Sequence, residues 1–127
     1  MLVKLLEPLN VSDSIIEKLA EPIKQAGHEF VYYNEKTTDS AELARRSEGA
    51  DVIMIANNPY PKEVIDQNAN LKLINVAFTG VDHVGIGQAR NQDVMICNAA
   101  GYANQAVAEL TIGLVLDVYR HITQGDK

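Results

Sequence analysis

Hydrophobic and polar positions along this chain form two alternating patterns, short apolar runs and longer stretches with helical spacing. The apolar runs are rich in β-branched residues and end near Pro, Gly or Asn, which is typical of strands. Five strands are predicted, over residues 3–6, 29–33, 51–56, 71–78 and 94–97. The continuous apolar character of the third run is typical of a parallel sheet covered on both faces.

Apolar residues at helical spacing predict a helix after each strand, including a long one at the end of the chain. The predicted helices cover residues 15–26, 40–49, 61–67, 83–90 and 104–122. Ser12 or Ser14 can cap the first helix, and Ser14 and Glu17 have the spacing of a capping box. Pro22 lies inside this helix and is expected to kink it or to end its regular part early.

Strands that alternate with helices predict an α/β fold with a doubly wound parallel sheet, because parallel neighbours require right-handed crossovers of this length. The flavodoxin-like strand order 2-1-3-4-5 is expected for five such units, with a long helix at the carboxyl end. Ligands of this architecture bind outside the carboxyl ends of the strands, near the switch in strand order. The loops at 7–8, 56–60, 78–80 and 98–99 are therefore the candidate binding region.

Composition and charge narrow the classes of function. The chain has 127 residues, 46% hydrophobic and 22% charged, as expected for one globular domain. Its net charge of −6 argues against a nucleic-acid partner, which requires a clustered basic face. The sequence has neither a membrane-length apolar run nor a signal peptide, so a cytoplasmic location is expected. Cys97, the single cysteine, is expected to be a buried small hydrophobe at a strand end.

A glycine follows the fourth predicted strand in the sequence Phe78-Thr79-Gly80. Glycine at such a turn lets the backbone approach a ligand and present successive N–H groups, which can bind a carboxylate without any side chain. The alternative is that Gly80 only permits a tight turn between strand and helix. Asp82 is expected to cap the next helix and to organise this turn.

Asn57 and Asn58 follow the third strand, next to the expected switch point, and an Asn side chain offers two donors and one acceptor to a hydroxy acid. The alternative is plain turn chemistry, since Asn-Asn-Pro is a common turn composition. The segment 85–90 begins like a dinucleotide-binding turn but has Arg90 in place of the third glycine. No metal site is predicted, because the histidines lie far apart in the sequence without carboxylates at ligand spacing.

Two segments resemble the substrate-domain signature of the D-isomer-specific 2-hydroxyacid dehydrogenases, an NAD-dependent family. These segments read VAFTGVDH at residues 76–83 and NAAGYANQAVAE at residues 98–109. The resemblance implies that main-chain amides at Thr79 and Gly80, together with Phe78, hold the carboxylate of a small 2-hydroxy or 2-oxo acid.

The same resemblance assigns further roles along the chain. It implies a polar substrate contact at Asn57 and places Asn98 near the nicotinamide of NAD. Residues 1–103 are then a flavodoxin-like substrate domain, and residues 104–127 form a hinge and dimerisation helix that leads to a nucleotide-binding domain absent from this chain. A homodimer through the helix 104–122 is expected. The alternative is that the apolar stripe of this helix packs on the chain's own sheet.

In this family the catalytic Arg, acid and His lie in the nucleotide domain or beyond it, and no position of this chain matches them. The phosphate-binding loop for NAD is also missing. The chain is therefore expected to be the substrate-binding part of an oxidoreductase acting on the CH–OH group of D-2-hydroxy acids, inactive by itself and without catalytic residues of its own. The alternative is a standalone flavodoxin-like module that binds a small anion or a partner without catalysis.

Overall fold

Strands and helices alternate along residues 1–125, the part of the chain that the computed structural model describes. The strands are β1 (Leu2–Leu5), β2 (Glu29–Tyr32), β3 (Val52–Ile55), β4 (Leu73–Val76) and β5 (Met95–Asn98). The helices are α1 (Asp13–Gln25), α2 (Ser40–Ser47), α3 (Lys62–Ile65), α4 (Ile86–Asn91), α5 (Asn104–Arg120) and α6 (Ile122–Gly125). Each strand and helix predicted from the hydrophobic pattern is present, with shifted ends.

The five strands form one parallel sheet in the order β2-β1-β3-β4-β5. This confirms the predicted α/β class and the flavodoxin-like order. The direction in which strands are added reverses between β1 and β3, so the switch point lies between their carboxyl ends. The loops that follow β1, β3 and β4 consequently meet at one edge of the sheet.

One face of the sheet carries the main hydrophobic core. Ile53 and Ile55 of β3 and Ile74 and Val76 of β4 are fully buried there. The core residues contributed by α2, α3, α4 and the adjoining loops are Leu43, Ala44, Tyr60, Val64, Ile65, Val84 and Ala89. Burying each large apolar side chain contributes about 1.5–3 kcal/mol, so this three-helix face supplies most of the hydrophobic stabilisation.

The opposite face of the sheet is covered unevenly. Helix α1 buries Ile16 and Ala20 on the side of β1 and β2. Met95, by contrast, is 64% exposed, and Cys97 on the same face of β5 is also exposed. The prediction of a buried Cys97 is therefore wrong, because no helix within residues 1–125 covers this half of the face.

The first helix begins directly after Ser12, the earlier of the two N-cap residues that the sequence offered. Ser12 is its N-cap, and the Ser12 hydroxyl hydrogen-bonds the Ser14 hydroxyl at 2.9 Å instead of a backbone N–H. The capping box at Ser14 and Glu17 is therefore not formed, and Glu17 pairs with Lys24 instead. The helix continues past Pro22 to Gln25, so Pro22 does not end it.

Helix α5 lies off the sheet, and none of its side chains is buried. Its exposed large hydrophobic residues are Val107, Leu110, Ile112, Leu114, Val115, Leu116, Val118 and Tyr119. The apolar stripe of α5 therefore does not pack on the chain's own sheet, which was the alternative considered from the sequence. The last two residues of the predicted hinge segment 104–127 lie outside the described part of the chain. Between residues 1 and 125, no helix is both long and apolar enough to cross a membrane.

Candidate functional site

A cavity of about 300 Å³ lies at the carboxyl edge of the sheet, beside the switch point. The loops after β1, β2, β3 and β4 contribute its lining residues. These residues are Glu7, Pro8, Leu9, Asn10, Lys36, Ala56, Asn57, Ala77 and Phe78. Polar and apolar groups contribute about equally to the surface of this cavity.

The loop after β3 presents its two asparagines in opposite directions. Asn57 is exposed and lines the cavity, whereas Asn58 is completely buried. The loop is fastened by Glu7, which is 3% exposed and whose Oε1 accepts the N–H of Ala56 at 2.6 Å and that of Asn58 at 2.7 Å. Only Asn57 is therefore available to a ligand in the cavity.

The loop after β4 is bonded to β5 through its carbonyl groups. The Phe78 carbonyl accepts the N–H of Ala99 at 3.0 Å, and the Thr79 carbonyl accepts the side-chain amide of Asn98 at 2.7 Å. Among residues 1–125, the N–H groups of Thr79 and Gly80 have no hydrogen-bond acceptor. The loop thus presents two consecutive exposed donors, the arrangement that backbone anion sites use.

The backbone at Gly80 does not itself require a glycine. Its φ lies outside the left-handed region, and a Cβ built there would meet only Asp82 Oδ2, at an ordinary contact distance of 3.8 Å. The fold itself would therefore accept a side chain at this position. This geometry gives no support to the alternative in which Gly80 only permits a tight turn.

The sequence-predicted residues lie along one edge of the sheet but not around one cavity. Asn57 and Phe78 both line the cavity, whereas Thr79 and Gly80 follow Phe78 along the chain and are not among the lining residues. Asn98 reaches the same loop from the end of β5 through its bond to Thr79.

Sequence reasoning missed Glu7 as an anchor and Lys36 as the cationic lining residue. The signal for Glu7 was an acid directly after a buried apolar strand. Lys36 lies in a polar loop without any motif, so no local signal could have found it.

A buried arginine fixes the loop that carries Lys36. Arg46 Nη1 donates to the carbonyl of Glu35 at 2.6 Å and to that of Leu6 at 3.4 Å, which joins the ends of β1 and β2. Glu42 accepts hydrogen bonds from Arg45 and Arg46, which lower the pKa of this carboxyl to about 2. The Arg46 guanidinium is therefore paired with an ionised carboxylate at neutral pH.

The turn that begins α4 is closely packed against α3. A Cβ at Gly85 would lie 2.7 Å from the backbone nitrogen of Lys62, so α3 already occupies the space beside this glycine. Gly85 is the N-cap of α4, and Asp82 lies in the preceding turn. The prediction that Asp82 caps the helix is therefore wrong, because the helix begins only at Ile86. The described residues contain no cluster of three or more His, Cys, Asp or Glu side chains that could hold a metal.

Comparison with known proteins gives consistent matches. Residues 9–124 match the family model of the D-isomer specific 2-hydroxyacid dehydrogenase catalytic domain. A glycerate dehydrogenase of Methylorubrum extorquens is 36% identical over 95 residues, which are 75% of this chain and 30% of that protein. A glyoxylate reductase of Thermofilum pendens is 34% identical over 87 residues, which are 68% of this chain and 26% of that protein.

A solved structure extends the comparison to the fold. The NAD-dependent formate dehydrogenase from Staphylococcus aureus, in complex with NAD, superposes with a TM-score of 0.79 and 25% identity. The superposition covers 99% of this chain and 40% of the formate dehydrogenase.

The doubly wound sheet, with a cavity beside its switch point, defines a flavodoxin-like α/β domain. Because the family model matches most of its length, the chain belongs to the D-isomer-specific 2-hydroxyacid dehydrogenases, which confirms the resemblance seen in the sequence. The chain spans about a third of the length of the curated relatives it matches.

Proposed function

We propose that this chain is the substrate-binding part of an NAD-dependent oxidoreductase that interconverts D-2-hydroxy acids and 2-oxo acids. Family membership supports the reaction class. The observation that carries the site assignment is the pair of exposed N–H donors at Thr79 and Gly80. A substrate carboxylate there accepts two charge-assisted hydrogen bonds from backbone that the fold already holds in place.

The remaining predicted residues complete this proposed site. The Asn57 amide hydrogen-bonds the 2-hydroxy or 2-oxo group, and the Phe78 ring contacts the apolar part of the substrate. Asn98 holds the Thr79 carbonyl through its 2.7 Å bond, which keeps the adjacent N–H groups turned away from β5. In this proposal residues 1–103 bind the acid, and residues 104–127 are the hinge toward the domain that binds NAD.

The chain by itself is proposed to be inactive. Among the described residues, the charged side chains that line the cavity are Glu7 and Lys36, and Glu7 is engaged by backbone N–H groups. The segment 85–90 has Arg90 in place of the third glycine of a dinucleotide-binding turn. We expect calorimetric titration of residues 1–127 with NADH to give no heat of binding at micromolar concentrations, and a micromolar dissociation constant would contradict the proposal.

The carboxylate site is tested with Gly80→Val and Thr79→Ser in the complete enzyme. The valine side chain blocks approach to the two N–H groups, whereas the serine keeps both of them. A hydrogen bond to a charged group contributes about 1.5–3 kcal/mol, so Gly80→Val should raise KM roughly tenfold or more. Steady-state kinetics with a 2-oxo acid measure this effect. An unchanged KM in the Gly80 variant would refute the assignment.

The activity of the complete protein toward 2-oxo acids distinguishes the dehydrogenase from the alternative, a small-anion-binding module. A complete protein that reduces a 2-oxo acid with NADH supports the dehydrogenase. A protein that binds 2-oxo acids without turnover supports the small-anion-binding module instead.

A further inference from the structure

We propose that Glu7 is a positioning residue, whose carboxylate holds the loop after β3 so that Asn57 faces the cavity. This inference rests on the proposed function, because it gives Asn57 its role toward the substrate. Glu7 is 3% exposed, and one of its oxygens accepts two backbone N–H groups, at 2.6 and 2.7 Å. Those two groups belong to Ala56 and Asn58, the neighbours of Asn57 on either side.

The two hydrogen bonds from Ala56 and Asn58 to Glu7 fix the direction of Asn57, which lies between them. The Ile55–Ala56 and Asn57–Asn58 peptide planes are anchored to the same oxygen atom, so the loop between them cannot rotate as a unit without breaking at least one of these bonds. In the resulting conformation Asn57 is exposed and lines the cavity, while Asn58 is completely buried. The carboxylate thus selects which of two adjacent asparagines meets a ligand.

The side chain of Asn58 does not provide a competing anchor. Within residues 1–125 both its Oδ1 and its Nδ2 lack a hydrogen-bond partner, although the residue is completely buried. The part of the loop around Asn57 is therefore held by the Glu7 carboxylate rather than by the buried amide. The far end of the loop is held at Tyr60, whose N–H donates to the His83 carbonyl at 2.9 Å. Buried polar groups without partners are costly, so a loop with this one would rearrange once Glu7 released it.

The sheet places Glu7 where it can make both bonds. Leu5 is in register with Met54, and the N–H of Leu6 donates to the Met54 carbonyl at 3.0 Å, which extends the pairing of β1 and β3. Glu7 follows directly at the switch point, and its side chain crosses to the end of β3. Aspartate is shorter by one methylene group, whereas glutamine has the same length and keeps one oxygen acceptor.

The first test is amide hydrogen exchange, followed by NMR, on residues 1–127. Glu7→Ala should remove the protection of the Ala56 and Asn58 amides, whereas Glu7→Gln should retain much of it. If Glu7→Ala fails to fold, Glu7→Asp is the second variant and should lose the same protection. Full protection of both amides in a folded Glu7→Ala or Glu7→Asp variant would overturn the inference.

The second test is a double-mutant cycle in the complete enzyme, with glyoxylate as the probe. Asn57→Ala should raise KM about two- to tenfold, in line with the loss of one hydrogen bond to the neutral 2-oxo group. Glu7→Ala should raise KM to a similar extent, and adding Asn57→Ala to it should have almost no further effect. Glu7→Gln should recover most of the wild-type KM. Effects of the two alanine changes that multiply independently would overturn the inference.

Asp51 provides a matched control at the opposite edge of the same strands. Its carboxylate accepts the N–H of Leu2 at 2.8 Å and pairs with Lys72 at 2.6 Å. Asp51→Ala should lower stability and leave KM unchanged. If the wild-type enzyme does not act on any 2-oxo acid, the proposed function fails, while the exchange experiment still decides whether Glu7 holds the loop.

Discussion

Tyr60 is a core residue whose polar end is satisfied entirely by the protein. Its hydroxyl donates to Ser47 Oγ at 2.9 Å, and Ser47 in turn donates to the Leu43 carbonyl at 2.6 Å. The Tyr60 backbone bonds to His83 and Gly85 on the neighbouring loop. Tyr60 therefore links α2 to the segment that precedes α4. Burial raises the pKa of its phenol to about 12.

The raised pKa of Tyr60 predicts a loss of stability at alkaline pH. Between the usual value of 10.0 and about 12, the phenol ionises in the unfolded chain and stays neutral in the folded one, so its contribution falls as pH rises through this window. Tyr60→Phe should weaken this alkaline loss and cost about 1 kcal/mol at neutral pH. Urea unfolding at pH 7 and between pH 9 and 11 measures both effects.

A control for this experiment is Tyr102→Phe, because Tyr102 is 65% exposed and lies outside α5. The control should leave the dependence of stability on pH unchanged. Parallel alkaline profiles of the wild type and Tyr60→Phe would show that Tyr60 is not responsible.

At the scale of elements, the contact between α3 and the start of α4 is the tightest backbone approach involving a glycine in the described chain. The position of a Cβ at Gly85 lies 2.7 Å from Lys62 N and 3.1 Å from Lys62 Cα. The obstruction is backbone, which cannot rotate away as a flexible side chain could. Gly85 therefore sets how closely these two short helices pack over the core.

The close contact at Gly85 predicts that alanine substitutions at Gly85 and Gly87 have opposite effects on stability. Gly85→Ala should destabilise the fold by about 1–3 kcal/mol, the usual cost of forcing extra atoms into a packed site. Gly87 has open space around its Cβ position, so Gly87→Ala should be neutral or stabilise α4 by up to about 1 kcal/mol. Thermal or urea denaturation of both variants tests the pair, and a Gly85→Ala variant as stable as the wild type would contradict it.

The order of elements was predictable from sequence because it depends on periodicity, which is a local property. Their ends were not: β4 covers Leu73–Val76 rather than 71–78, because a strand ends where its partners stop pairing. The exposure of Cys97 was missed for a related reason, since burial depends on whether a distant element covers the sheet face. The anchoring role of Glu7 likewise depends on β3, which the topology places beside β1.

At the scale of the whole molecule, the outstanding feature is the apolar surface of α5. Leu110 is 63% exposed and Leu114 is 56% exposed, and their apolar neighbours along the helix are similarly uncovered. Burying a Leu or Val side chain contributes about 1.5–3 kcal/mol, so several together strongly favour association. A two-fold dimer through this helix is our proposal for the chain by itself, because closed symmetric dimers are the commonest assembly.

The dimer proposal predicts that Leu114→Asp releases monomers. A buried, unpaired carboxylate in the interface would oppose association. Analytical ultracentrifugation should show the wild-type chain at about twice its 13.9 kDa mass and the variant at that mass. Leu19→Asp makes the same change at a 69% exposed residue of α1 and should leave the assembly unchanged. A wild-type monomer at high micromolar concentration would end the proposal.

Because α5 is not packed on the rest of the domain, its folding depends on association with a partner. Most helices in proteins derive their stability from a packed face, and this one of 17 residues has none of its side chains buried. Gly113 in its middle lowers helix propensity by about 1 kcal/mol relative to alanine. Formation of the helix and docking of its partner are then a single thermodynamic event. In dilute solution the helix should melt well before the sheet, and association should carry the enthalpy of a coil-to-helix transition.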